Sequence, residues 1–147
     1  MMADGGIGSE VGFELFAVTA DKGIRAWGRD FAEVFAAAAR GLTSLIVDPT
    51  TIRPQRAVPV EVAAGDREAL LVAWLNELLY LFEAQGLLAA DCEITEISEA
   101  RLAATVRGES LDRSRHVLIG HVKAATYHQL RIAQTQDGWE ARVVVDV

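Results

Sequence analysis

The stretch from Gly65 to Gly86 limits the fold more than any other part of the chain. Asp66 offers a side-chain oxygen to the free N–H groups of a helix start, Glu68 places negative charge in the first turn, and Gly86 supplies a C-terminal stop. The residues between them form one helix of about twenty residues and about 30 Å. Leu70, Leu71, Trp74, Leu75, Leu78, Leu79, Leu81 and Phe82 cover more than half its circumference, so it is the element most deeply embedded in the fold. It is not a membrane span, because the run from Ala69 to Phe82 is short and interrupted by Asn76 and Glu77.

What surrounds that helix can be read in order. Phe13 to Val18 and Ile24 to Gly28 read as strands joined by a turn over Thr19-Ala20-Asp21-Lys22-Gly23. In that turn Asp21 caps local N–H groups, and Gly23 is expected to take the tight or left-handed conformation. Asp30 and Glu33 form an Asp-x-x-Glu start. Phe31, Val34, Phe35, Ala38, Leu42, Leu45 and Ile46 then lie on one stripe of a helix that Asp48-Pro49 ends. Val58, Val60 and Val62 alternate in a strand that Pro59 confines to an edge or a strand entrance. Period-two patterning from Cys92 to Ile97 and from Arg101 to Arg107 gives a hairpin. Gly108 to Arg115 reads as an exposed polar loop, and Val117 to Thr126 as a further strand. A last hairpin, Gln129 to Val147, turns at Asp137-Gly138, where positive φ angles are expected. The resulting class is α+β: a single two-layer domain over residues 13–147, two helices on a mostly antiparallel sheet, after a flexible tail at 1–12.

Charge and composition narrow the function. With 51% hydrophobic but only 7% aromatic residues, the core is built of alanine, leucine and valine, and needs neither metal nor disulfide to fold. Fourteen basic against twenty-one acidic side chains leave −7, which opposes high-affinity nucleic-acid binding. The lone Cys92 is a small strand-edge or core residue and fits a reducing compartment, and the N-terminus lacks an export signal. A cytoplasmic location is expected.

Little points to nucleophilic catalysis, since no Gly-x-Ser-x-Gly elbow and no phosphate-cradling glycine loop occurs. His116, His121 and His128 lie within thirteen residues but match no zinc spacing. The carboxylates are a better constellation: Asp21 in the first hairpin, Asp146 near the far end, and the carboxylate of Val147. If the last strand pairs near the first hairpin, the repulsion between them is relieved by protonation, by an adjacent lysine, or by a bound cation. An all-oxygen set favours Ca2+, with Mg2+ or Mn2+ next. Solvated strand ends, and a metal-dependent hydrolase built on the same carboxylates, are the competing readings.

Four ordered blocks carry a further signal: Thr-Ala-Asp-Lys-Gly-Ile at 19 to 24, Trp-Leu-Asn-Glu-Leu-Leu-Tyr-Leu-Phe at 74 to 82, Val-Lys-Ala-Ala-Thr-Tyr-His at 122 to 128, and Asp-Gly-Trp followed by the final Val-Val-Val-Asp-Val. From Phe13 to Val147 the chain resembles the archease family. The resemblance implies a small α+β protein that is not itself a catalyst but activates the GTP-dependent RNA-splicing ligase of the RtcB type, promoting its guanylylation and multiple turnover. It implies a metal site at Asp21, Asp146 and Val147 and an activating role for Lys123, with His128 and Glu77 as possible supporting residues. One position departs from the family pattern: Val18 stands where histidine usually precedes Thr-Ala-Asp, and valine can neither bind metal nor move a proton. A divergent member without ligase activation is therefore a further alternative, as is substitution for that histidine by His121 or His128.

Overall fold

The computed structural model describes residues 11–147; of the tail expected over 1–12, only Val11 and Gly12 fall among them, and Gly12 already opens the first strand. The elements run β1 (Gly12–Val18), β2 (Asp21–Gly28), α1 (Phe31–Ile46), a 3₁₀ turn (Pro49–Thr51), β3 (Arg56–Ala63), α2 (Arg67–Gln85), β4 (Leu87–Ile97), β5 (Arg101–Ser110), β6 (Ala124–Ala125), β7 (Arg131–Gln134) and β8 (Trp139–Asp146). The α+β class holds, with the strands divided between two antiparallel sheets. One is five-stranded, in the order β1-β2-β8-β6, with β7 pairing with β8 beside β6; the other is three-stranded, in the order β3-β5-β4. Pro59 sits on β3, an edge strand, where a residue without an N–H is tolerated.

Both helices begin and end as their flanking residues dictate. Asp30 Oδ1 accepts from the Glu33 N–H at 2.9 Å, and Glu33 Oε1 reaches back to the Arg29 N–H at 2.8 Å. Asp66 Oδ1 accepts from the Ala69 N–H at 2.8 Å, and Gly86, with φ 66°, donates to the Leu81 and Phe82 carbonyls. Helix α1 packs against both sheets, and α2 lies against β3, β4, β6 and α1. Trp74, fully buried on α2, donates its indole N–H to the Phe35 carbonyl of α1 at 3.0 Å and so ties the helices together. The core runs from Ile24, Val143 and Val145 of the large sheet through the helices to Leu88, Leu102 and Val106 of the small one.

Five expectations are corrected. Asp21 is already the first residue of β2, and the turn shrinks to Thr19-Ala20. Its positive φ falls on Ala20 (66°) and not on Gly23, which lies within β2 and lacks a side chain where a Cβ would strike the Phe16 ring. Gly138 likewise has no positive φ; its lack of a side chain lets the β7–β8 turn approach the Gly28 carbonyl. Gly108 to Ser110 continue β5 rather than forming a loop. Finally, the stretch 117–126 is strand only at Ala124–Ala125, apart from a single bridge from Val47 to Leu118.

Candidate functional site

The register of the large sheet decides which polar residues meet at its end. β2 and β8 pair with Lys22 opposite Val145, and each step outward advances one residue on both strands, so the next level sets Asp21 beside Asp146. On the other side of β8, Ala124 of β6 is opposite Asp146, and the Lys123 N–H donates to the Asp146 carbonyl at 2.8 Å. Val18 of β1 is directly opposite Asp21. One end of the sheet thus lines up Val18, Asp21, Asp146 and Ala124, with Lys123 and Val147 immediately beyond. Asp21 is partly buried, while Asp146, Val147 and Lys123 are exposed. Neither aspartate carboxylate accepts a hydrogen bond or joins an ion pair from the described residues.

Two features hold this end in place. Ala20 adopts the left-handed conformation, which costs a residue with a Cβ about 1–2 kcal/mol, so the tight turn ahead of Asp21 is bought with strain. On the opposite edge the two-residue strand β6 is clasped by Asn76 of α2: the Asn76 Oδ1 accepts from the Ala125 N–H at 2.8 Å, and its Nδ2 lies 3.5 Å from the Ala125 carbonyl. Thr126 adds bonds from its N–H and its hydroxyl to the Val144 carbonyl. Sequence reasoning missed Asn76, although it broke the apolar face of the α2 helix. Its neighbour Glu77, expected to support the site, is half-buried and makes no hydrogen bond or ion pair among the described residues. His128 is exposed, and its backbone N–H donates to the Thr126 hydroxyl at 3.2 Å.

The other histidines have separate surroundings. His121 Nε2 lies 3.8 Å from a Glu83 carboxylate oxygen on α2. His116 is buried; its Nδ1 accepts from the Asp112 N–H at 2.9 Å, which puts the ring proton on Nε2, 2.9 Å from Glu109. Glu109 also pairs with Arg115 and accepts from the Arg53 N–H at 2.7 Å. The Arg115 guanidinium, then the Arg53 N–H, hold the Glu109 carboxyl down at about 2, against the penalty of burial. This cluster pins the irregular segment after β5 to the 3₁₀ turn, since Arg115 also donates to the Thr51 carbonyl at 2.9 Å. Nothing in the sequence set Glu109 apart from the charges around it. Cys92, on edge strand β4, has its thiol pushed up to about 12, chiefly by burial, and is not an activated nucleophile.

Among the described residues no three His, Cys, Asp or Glu side chains gather as a metal-holding group, and no helix is long and apolar enough to cross a membrane. A cation at the Asp21 end therefore requires donors besides those side chains. Asp21 and Asp146 offer carboxylate oxygens, and oxygen donors suit a hard divalent ion.

Residues 13–147 match the model of the Archease protein family (MTH1598/TM1083). This chain belongs to the archease family. It is 40% identical to the protein archease of Thermococcus gammatolerans, across 92% of this chain and 98% of that one, and 37% identical to that of Methanosarcina barkeri, across 92% and 95%. The solution structure of Methanobacterium thermoautotrophicum protein 1598 superposes with a TM-score of 0.78 at 33% identity, covering 92% of this chain and 99% of the other. The family match begins at Phe13, inside β1, and so takes in both ends of the lined-up sheet terminus. At Val18 this archease-family chain has an apolar side chain directly opposite Asp21.

Proposed function

We propose that this protein is a non-catalytic, cation-binding accessory factor that activates a GTP-dependent RNA-splicing (tRNA) ligase of the RtcB type by promoting its guanylylation and turnover. The observation that carries the reading is the register that sets Asp21 beside Asp146 next to Lys123, in a chain of the archease family. In this reading Asp21, Asp146 and the carboxylate of Val147 hold Ca2+, or Mg2+ or Mn2+, by oxygen ligation, and the ion offsets the mutual repulsion of the carboxylates. Lys123 supplies the cation that faces the ligase. His128 and Glu77 stand by as supporting polar groups. Binding takes place in the cytoplasm, where the partner works.

The test is ligase guanylylation and product formation with the wild type, Asp21→Ala and Lys123→Ala, alongside calorimetric titration of Ca2+. The expected result is loss of both stimulation and Ca2+ binding in Asp21→Ala, and loss of stimulation alone in Lys123→Ala. Unchanged stimulation by Asp21→Ala removes the proposed role. Hydrolysis of a phosphoester by the protein alone, lost in Asp146→Ala, would favour the hydrolase alternative instead.

A further inference from the structure

The outward face of the large sheet carries a row of charge that the accessory role does not use. Glu14 of β1 is opposite Arg25 of β2, Arg25 is opposite Arg142 of β8, and Arg142 is opposite Arg131 of β7. All four face away from the core, because the alternate residues Ile24, Ala26, Ala141 and Val143 are buried on the inner face. Three arginines thus stand side by side on neighbouring strands about 4.8 Å apart. Like charges directly opposed across strands are destabilising, and this chain has an excess of carboxylates with which to separate them.

The carboxylates are distributed unevenly. Glu14, at 2.6 Å, and Glu140, at 3.3 Å, both go to Arg25, which also lies 4.4 Å over the Trp27 ring. Arg142 is stacked 4.5 Å over the Phe16 ring. Neither Arg142 nor Arg131 has a carboxylate within ion-pair distance among the described residues. Two guanidinium groups are therefore left with open donor forks on an exposed antiparallel sheet. Arg142, on its Phe16 ring, stands opposite Arg25 on its Trp27 ring.

We propose that this face is a low-affinity binding surface for single-stranded nucleic acid, with Arg131 and Arg142 on successive phosphates and the stacked guanidinium planes of Arg25 and Arg142 receiving bases. Open guanidinium forks match phosphate oxygens, and unpaired bases stack on arginine planes and aromatic rings. An acidic peptide is the less fitting occupant, since it has no planar group for those stacks, and Glu14 and Glu140 already meet the charge of Arg25. A duplex fits poorly, because its bases are already stacked on one another and have no face to offer the row. The net charge of −7 keeps binding weak and confines it to this row. The inference goes beyond ligase activation and does not depend on it, since it is tested on this protein alone.

The experiment is fluorescence anisotropy with a labelled single-stranded oligonucleotide, repeated with the same sequence as a duplex and with polyglutamate as competitor, over a range of salt. A Kd on the order of 10⁻⁵–10⁻⁴ M at low salt is expected, with a log–log salt slope of about −1.4 for two phosphates. Arg131→Ser with Arg142→Ser should weaken binding at least tenfold and flatten the slope; Arg101→Ser, on the small sheet, should leave binding intact. Should the double variant melt well below the wild type, Arg131→Glu alone carries the test, since that side chain is exposed and lacks an ion-pair partner among the described residues. The proposal is overturned by no saturable binding at low salt, by binding unchanged in the arginine variants, or by a duplex that binds as tightly. Displacement by polyglutamate at matched charge also overturns it, in favour of an acidic protein segment.

Discussion

Asn76→Ala is the most direct probe of how the fold supports the end of the large sheet. Ala125 is only 6% exposed, so truncating Asn76 leaves its N–H without an acceptor and without water to replace it. An orphaned buried donor costs about 1–3 kcal/mol. The second contact, at 3.5 Å, is at the limit of hydrogen-bond geometry and adds little. At about 2–4 °C per kcal/mol for a domain of this size, the melting temperature should fall by about 2–12 °C. The loss is also local, because β6 is two residues long and is otherwise held mainly by its own bonds to β8. Hydrogen exchange should therefore show the Ala125 amide losing protection beyond the global change, with Lys123 released from its place beside Asp146. Asn76→Asp separates the two halves of the clasp, keeping the acceptor and removing the donor; it should retain most of the Ala125 protection. An Asn76→Ala variant that melts with the wild type and leaves Ala125 protected would show that Asn76 does not hold β6 in place.

Other perturbations address single contacts. Glu109 is held at about 2 against an ordinary 4.5, so the stability it confers is complete above about pH 4.5 and is lost as pH falls toward 2; urea midpoints across that range should drop more steeply for the wild type than for Glu109→Gln. Ala20→Gly relieves the left-handed strain and should stabilise the protein by up to about 1 kcal/mol in chemical denaturation, because the gain exceeds the extra chain entropy of glycine. Gly108→Ala drives a Cβ into the Leu88 carbonyl of the neighbouring strand, where only backbone movement can make room, and should cost about 1–3 kcal/mol or more in the same assay.

Periodicity and punctuation made the frame legible. Asp30, Asp66 and Gly86 bracket the helices within a residue, and the leucine rows of α2 are buried as their spacing requires. Local signals failed where the deciding contact is remote. Gly23 and Gly138 look like turn glycines, but each is small because a distant group, the Phe16 ring or the Gly28 carbonyl, occupies the place of a side chain. Glu109 lies in the outward phase of β5 and reads as solvated; only the return of Arg115 and His116 covers it. The approach of Asp21 to Asp146, one level beyond the last β2–β8 pair, is of the same kind. Each residue is visible in its own segment, but their meeting follows from the β2–β8 register, which no local pattern specifies.

That register also bears on how the protein is made. β8 is an inner strand of the large sheet, yet it comes last among the described strands, and it meets the first hairpin across a separation of about the whole domain. During synthesis the β1–β2 hairpin has no partner for the edge of β2 until β8 emerges, so completion of the sheet waits on β8. Pairing over so long a loop is slow and leaves an open strand edge to be guarded meanwhile. Folding should therefore begin in the local β3–α2–β4–β5 half, with the candidate cation end assembled last.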